Sequence, residues 1–292
     1  MDSVRVVSGG NRAILGEGPI WVERANAVFW VDIFGQRVNR LLLGDGSVVT
    51  WEIPERIGWM IERAGRDDFI IGLKSGFATL RLEPFEIKSI GNPEPDRPQN
   101  RMNDAKTDFK GRIWAGTKDD REVEDSGALY RLDPDLQWSR HDDGYLVTNG
   151  PTFNLDGRIM YHADSPRRTV YAFDLDDEGN LGGKRVFLQF EEKWGYPDGM
   201  TTDSEGGIWI AHWGGGRISR FTPDGRLDRS IAIPASKVTS IVFAGEKLDR
   251  AFVTSAADGC ESEPLAGSLF EVETNARGNR PTPFASAAAP GN

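Results

Sequence analysis

Gly111-Arg112-Ile113-Trp114, Gly157-Arg158-Ile159-Met160 and Gly206-Gly207-Ile208-Trp209 are one phrase written three times. Each copy follows an Asp-containing turn and runs on to a small residue, Ala115, Ala163 or Ala211. Two looser copies, Ala27-Val28-Phe29-Trp30 and Arg250-Ala251-Phe252-Val253, fit the same column, and Asp68-Phe69-Ile70-Ile71 makes a sixth. Trp30, Ile70, Trp114, Met160, Trp209 and Phe252 are then 40, 44, 46, 49 and 43 residues apart. A period in the forties, with several short strands per unit, is the signature of a β-propeller.

The rest of the chain agrees with this. Short alternating segments rich in β-branched and aromatic residues are bounded by Asp156-Gly157, Glu205-Gly206 and Asp224-Gly225, where hairpins need positive φ. Further strands are expected at 37–41, 77–80, 128–132, 170–175, 217–221 and 268–272. The expected fold is all-β: one six-bladed propeller over residues 1–292, with four-stranded antiparallel blades. Val4 to Val7 is placed to close the last blade against C-terminal strands. The segment from Asn92 to Gln99 reads as a connection within the fold, and the tail from Pro281 as part strand, part frayed end.

Composition excludes several function classes. The 292 residues carry 45 acids and 35 Lys+Arg, a net charge of −10, with no basic stripe for phosphate backbones or anionic membranes. The single cysteine, Cys260, rules out an intrachain disulfide and a Cys-rich zinc site. No run of 18 apolar residues and no signal-peptide pattern is present, so a cytoplasmic protein with no obligate protein partner is expected.

A second column runs 11 to 13 residues ahead of the first: Glu17, Gly58, Asn103, Asn149, Asp198 and Thr239. Equivalent positions of a propeller lie at equal radius, so these residues should converge on the axis, giving the fold an axial site. Glycine beside Glu17, Asn149 and Asp198 lets backbone and ligand approach closely. Converging Glu, Asn, Asn and Asp without a basic residue in the column need a counter-charge. Oxygen donors suit a hard divalent cation, Ca²⁺ first, with Mg²⁺, Mn²⁺, Zn²⁺ or Fe²⁺ able to take the same oxygens.

The strings Leu15-Gly16-Glu17-Gly18-Pro19-Ile20-Trp21, Arg101-Met102-Asn103-Asp104, Thr148-Asn149-Gly150-Pro151 and Tyr196-Pro197-Asp198-Gly199-Met200 carry a resemblance to the senescence-marker-protein/gluconolactonase family of regucalcin-like proteins and bacterial sugar lactonases such as xylonolactonase. The resemblance spans about Gly16 to Val272 and implies a six-bladed propeller with one axial divalent metal. It assigns Glu17, Asn149 and Asp198 to the metal, and Arg101 and Asn103 to a sugar lactone. Loss of Arg101 or Asn103 is therefore expected to hurt substrate binding and leave the cation in place.

Other residues carry expectations of their own. Trp59 follows Gly58, and Tyr196 precedes Pro197-Asp198, so both are candidates for the pocket wall. Asp119, Asp120, Glu122, Glu124 and Asp125 are expected to form a mobile lid, with Glu122 among the substrate contacts. His162 and His212 read as packing residues, although His212-Trp213 could reach the channel mouth. Asp174 to Gly179 begins like an EF-hand loop, but position 12 is Arg185, so it reads as a hairpin turn. No Gly-x-Ser-x-Gly elbow and no phosphate-binding loop of the Gly-x-x-x-x-Gly-Lys type occurs.

The function expected is a metal-dependent lactonase, a carboxylic ester hydrolase that opens a glucono-, xylono- or arabinono-type aldonolactone. Asp198 is the expected general base. The alternatives are a phosphotriesterase of the diisopropyl-fluorophosphatase type and a non-enzymatic cation-binding propeller. Arg101 and Asn103 beside the metal favour a polyol over an apolar phosphotriester.

Overall fold

The repeated phrase is a structural device. Gly111, Gly157 and Gly206 all sit at positive φ, 76°, 72° and 84°, which a side chain would strain. In two copies the turn aspartate then accepts the indole N–H of the phrase's own tryptophan. Trp114 Nε1 donates to Asp108 Oδ2 at 3.0 Å and Trp209 Nε1 to Asp203 Oδ2 at 2.9 Å. Burying these indoles thus leaves no orphan donor.

The computed structural model describes residues 4–7 and 9–285. These residues form six four-stranded antiparallel sheets, each an in-to-out meander, as the repeat requires. The innermost strands are Gly16–Val22, Ile57–Glu62, Asn100–Thr107, Thr148–Phe153, Tyr196–Thr202 and Val238–Ala244. Each adjoins the next around the ring, and the first meets the sixth. Blades are numbered one to six in that order.

Val4–Val6 is the outer strand of blade six, paired with Phe270–Val272 in the register Val4 to Val272 and Val6 to Phe270. The chain's two ends thus close the ring. Asn92 to Gln99 links blades two and three. Asp174 to Gly179 belongs to a hairpin, with Asp176 N–H donating to the Asn180 carbonyl and Gly179 at φ 83°. Hydrophobic cores fill the spaces between neighbouring blades, with Trp59, Trp114 and Trp209 among the largest fully buried side chains.

The C-terminal segment leaves blade six and runs across one end of the channel. Gly278 bridges Asp203 of blade five. Phe284 N–H then donates to the Glu62 carbonyl and Ala285 N–H to the Gly111 carbonyl, in blades two and three. Phe284 is 0% exposed and packs in the core between those blades. The tail covers a cavity of about 130 Å³ bounded by the far ends of the inner strands. Of the tail expected to fray, residues 286–292 lie outside the described residues. Among the described residues no helix is long and apolar enough to cross a membrane.

Candidate active site

All six inner strands carry a β-bulge, and each falls at the second column. In blade one, three steps from Glu17 to Ile20 oppose two from Val31 to Phe29. Blades three, four and five repeat this between Met102 and Ala105, Asn149 and Thr152, and Pro197 and Met200. A bulge bends the strand and re-aims the side chains beside it. Here it turns polar side chains to the axis without breaking the core packing farther along each strand.

The site lies in a cavity of about 320 Å³ at the channel end opposite the tail. Glu17, Asn103, Asn149 and Asp198 line it, with Arg101, Lys118, Glu122, Tyr196 and Trp213 around them. The Glu17 and Asp198 carboxyl groups hydrogen-bond each other. Glu17 Oε2 also accepts Gly18 N–H at 2.8 Å, and Asp198 Oδ1 accepts Gly199 N–H at 3.0 Å. Asn149 is fixed from two sides. Its Nδ2 donates to Ser165 Oγ at 2.8 Å, and its Oδ1 accepts Asn103 Nδ2 at 3.0 Å. Ser165 Oγ donates in turn to the Pro197 carbonyl at 2.6 Å.

Asn103 stands between the two halves of the site. Its Nδ2 also reaches the Thr148 carbonyl at 2.6 Å, and its Oδ1 accepts Arg101 Nη1 at 2.8 Å. The Arg101 guanidinium is held by Asp120 Oδ1 at 2.8 Å and by the Met102 carbonyl at 2.9 Å. Met102 between them points into the core, as alternation requires.

One residue of the site was not expected. Asp104, next to Asn103 in the blade-three bulge, is buried near Glu17 and Asp198, and its charge acts on both. Its oxygens accept Ala105 N–H at 2.7 Å and Gly150 N–H at 3.0 Å. The sequence did hold a signal: the residue after the column is glycine at 18, 150 and 199, and an acid only at 104.

Trp59, expected in the pocket wall, is not there. It is 1% exposed and packs on Phe77, ring centroids 6.1 Å apart, in the core between blades two and three. Following Gly58, it alternates to the face away from the axis, and Gly72 leaves room for the indole: a Cβ at 72 would come within 2.3 Å of it. His212 is also buried, among Phe190, Trp194 and Phe221. Its neighbour Trp213 is the one that lines the cavity.

Burial and mutual repulsion shape the electrostatics. Burial, then Asp104, pushes the Glu17 carboxyl up to about 8. Burial, then Glu17 and Asp104, holds Asp198 well above the usual carboxylate range. Burial raises Asp104 to about 6, with Lys106 acting against it. Crowded carboxyls of this kind lack a positive charge. Among the described residues, no three His, Cys, Asp or Glu side chains converge to hold a metal on their own. A metal donor set here would need the Asn149 amide oxygen together with Glu17 and Asp198. All are oxygens, which fits a hard divalent cation. Asp104 sits behind them, both oxygens turned to backbone amides.

A sequence profile for the SMP-30/Gluconolactonase/LRE-like region matches residues 15–257. The chain is 34% identical to regucalcin of Gallus gallus, covering 98% of this chain and 100% of that one. It is 32% identical to the 6-deoxy-6-sulfogluconolactonase of Pseudomonas putida over 91% of this chain and 93% of that one. A solved structure of luciferin-regenerating enzyme superposes with a TM-score of 0.91 at 26% identity, covering 98% and 99% of the two chains.

Proposed function

The chain belongs to the SMP-30/gluconolactonase family, and from that premise we propose that it is a metal-dependent lactonase opening a sugar aldonolactone to the aldonic acid. The observation that carries the reading is the placing of Arg101 and Asn103 directly beside Glu17, Asn149 and Asp198 in one cavity. Oxygen donors for a cation and multidentate donors for a polyol share a single wall. An apolar phosphotriester has no use for the second set.

Glu17, Asn149 and Asp198 would hold the cation, Ca²⁺ first by donor hardness. When bound, such an ion polarises the lactone carbonyl and stabilises the oxyanion. The chain's own groups do the rest. Arg101 and the Asn103 amide orient the sugar hydroxyls. Asp198 Oδ2 takes a proton from the attacking water as its oxygen joins the carbonyl carbon. The ring C–O bond then breaks, and the leaving oxygen receives that proton. Tyr196, Trp213, Leu15 and Ile33 wall the site, and Glu122 reaches it from the 119–125 loop.

The test is proton release from δ-gluconolactone and from paraoxon, with and without chelator, after subtracting spontaneous hydrolysis. Chelator-sensitive turnover of the lactone alone is expected. Turnover of paraoxon alone would favour the phosphotriesterase, and turnover of neither the non-enzymatic reading.

A further inference from the structure

The cavity is acidic at its floor and basic at one wall. The floor holds Glu17 and Asp198, with Asp104 behind them. The wall, built by blade three, presents Arg101, Lys118 and Glu122 to the cavity, while Arg56 and Lys74 meet Asp120 behind that lining. Two cations against one acid on this lining leave a local surplus of +1, in a chain whose net charge is −10. A wall of this sign facing a substrate cavity calls for an anion.

Lys118 is where the surplus is exposed to a ligand. Its side chain is 4% accessible, it lines the cavity, and its ammonium has one side-chain partner, Glu122. Glu122 is 55% accessible, on the loop beyond the strand, and takes a left-handed backbone at φ 57°. A buried ammonium with three donors is thus neutralised from outside by an exposed, displaceable carboxylate. Burial, then the neighbouring Arg101, lowers Lys118 to about 8, so it remains mostly cationic near neutral pH.

We infer that the substrate is an acidic sugar lactone, carrying a carboxylate, sulfonate or phosphate on the carbon farthest from the carbonyl, and that Lys118 holds this group in place of Glu122. The inference rests on the lactonase reading above. The reacting end lies against the acidic floor and its cation, and the charged end against the basic wall.

Two substrates isolate the charge. Glucono-1,4-lactone and glucaro-1,4-lactone differ only at C6, hydroxymethyl in one and carboxylate in the other. With metal-loaded enzyme, kcat/KM should favour the acidic lactone by about 10- to 100-fold, the worth of one charge-assisted hydrogen bond. Lys118→Met should bring that ratio near one, and Lys118→Arg should keep part of it. A ratio near one in the unaltered protein, or a preference that survives Lys118→Met, overturns the inference. If neither lactone opens, the lactonase reading falls, and calorimetry with glucarate and gluconate decides the anion site separately. Tighter glucarate binding that disappears in Lys118→Met supports it; equal binding of the two overturns it.

Discussion

Asn103 Nδ2 donates to Asn149 Oδ1 at 3.0 Å, tying the inner strand of blade three to that of blade four at the axis. The same amide accepts Arg101 Nη1 on its other end. The division of labour between a substrate pair and a metal trio that the motifs suggest should therefore be incomplete. Asn103→Ala should weaken substrate binding and also lower metal affinity by about 10- to 100-fold, since it frees the carbonyl of Asn149 to turn. Metal titration by calorimetry, beside kcat/KM, checks both. Unchanged metal affinity would restore the simpler division.

Asp198→Asn removes one of two buried carboxyls that face each other. In chelator, the variant should melt at or above the temperature of the unaltered protein, because a buried ionisable group crowded by Glu17 and Asp104 has gone. It should lose the rise that a saturating cation gives, about 2.7 kcal/mol at 100-fold over Kd. It should also lose lactone turnover. Melting curves with and without Ca²⁺ measure the first two effects. A metal-induced rise that persists in the variant would remove Asp198 from the ligands.

His162 sets an acid limit. Both ring nitrogens are buried without a partner, and burial lowers the group to about 3 from 6.5. The unfolded chain takes up a proton below 6.5 that the folded chain refuses until about 3. Stability is thus fully present above 6.5 and falls as pH drops, by about 1.4 kcal/mol per unit for this group. His162→Phe, which keeps an aromatic ring against Tyr145, should remove about 2 kcal/mol of the loss between pH 7 and pH 5. Urea midpoints of both proteins at those two pH values give the comparison. Equal slopes would mean that His162 is protonated in the fold.

Phe284 anchors the tail in the core between blades two and three. Phe284→Ala should cost about 3–5 kcal/mol, as for other fully buried phenylalanines. Loss of that size in urea unfolding, with lactone KM nearly unchanged, would place the tail's contribution in stability. A changed KM with unchanged stability would contradict it.

The blade count was legible because the phrase at 111, 157 and 206 repeats a local need: a positive-φ glycine, an aspartate at the turn and an indole to satisfy it. The axial polar column was legible because it repeats at nearly the same period. Register was not. A bulge depends on how two strands pair, and alternation along one strand does not reveal it. This hid Asp104, which the bulge brings to the axis. It also misplaced Trp59, whose position depends on the space left by Gly72 on the neighbouring strand. Lys118 stands opposite Arg101 through the pairing of two strands, which neither strand reveals alone.

With the tail across the far end of the channel, the cavity opens, among the described residues, at the opposite doorway. Substrate and product share it, and ring opening creates a carboxylate that must leave past Arg101 and Lys118. Ring opening adds one negative charge to a substrate already held by those cations, so the acid departs more slowly than the lactone enters. Release, rather than bond cleavage, should then limit turnover, and the aldonic acid should act as a competitive brake on its own formation. Added salt, by screening the doorway, should speed the late phase of a progress curve more than its beginning.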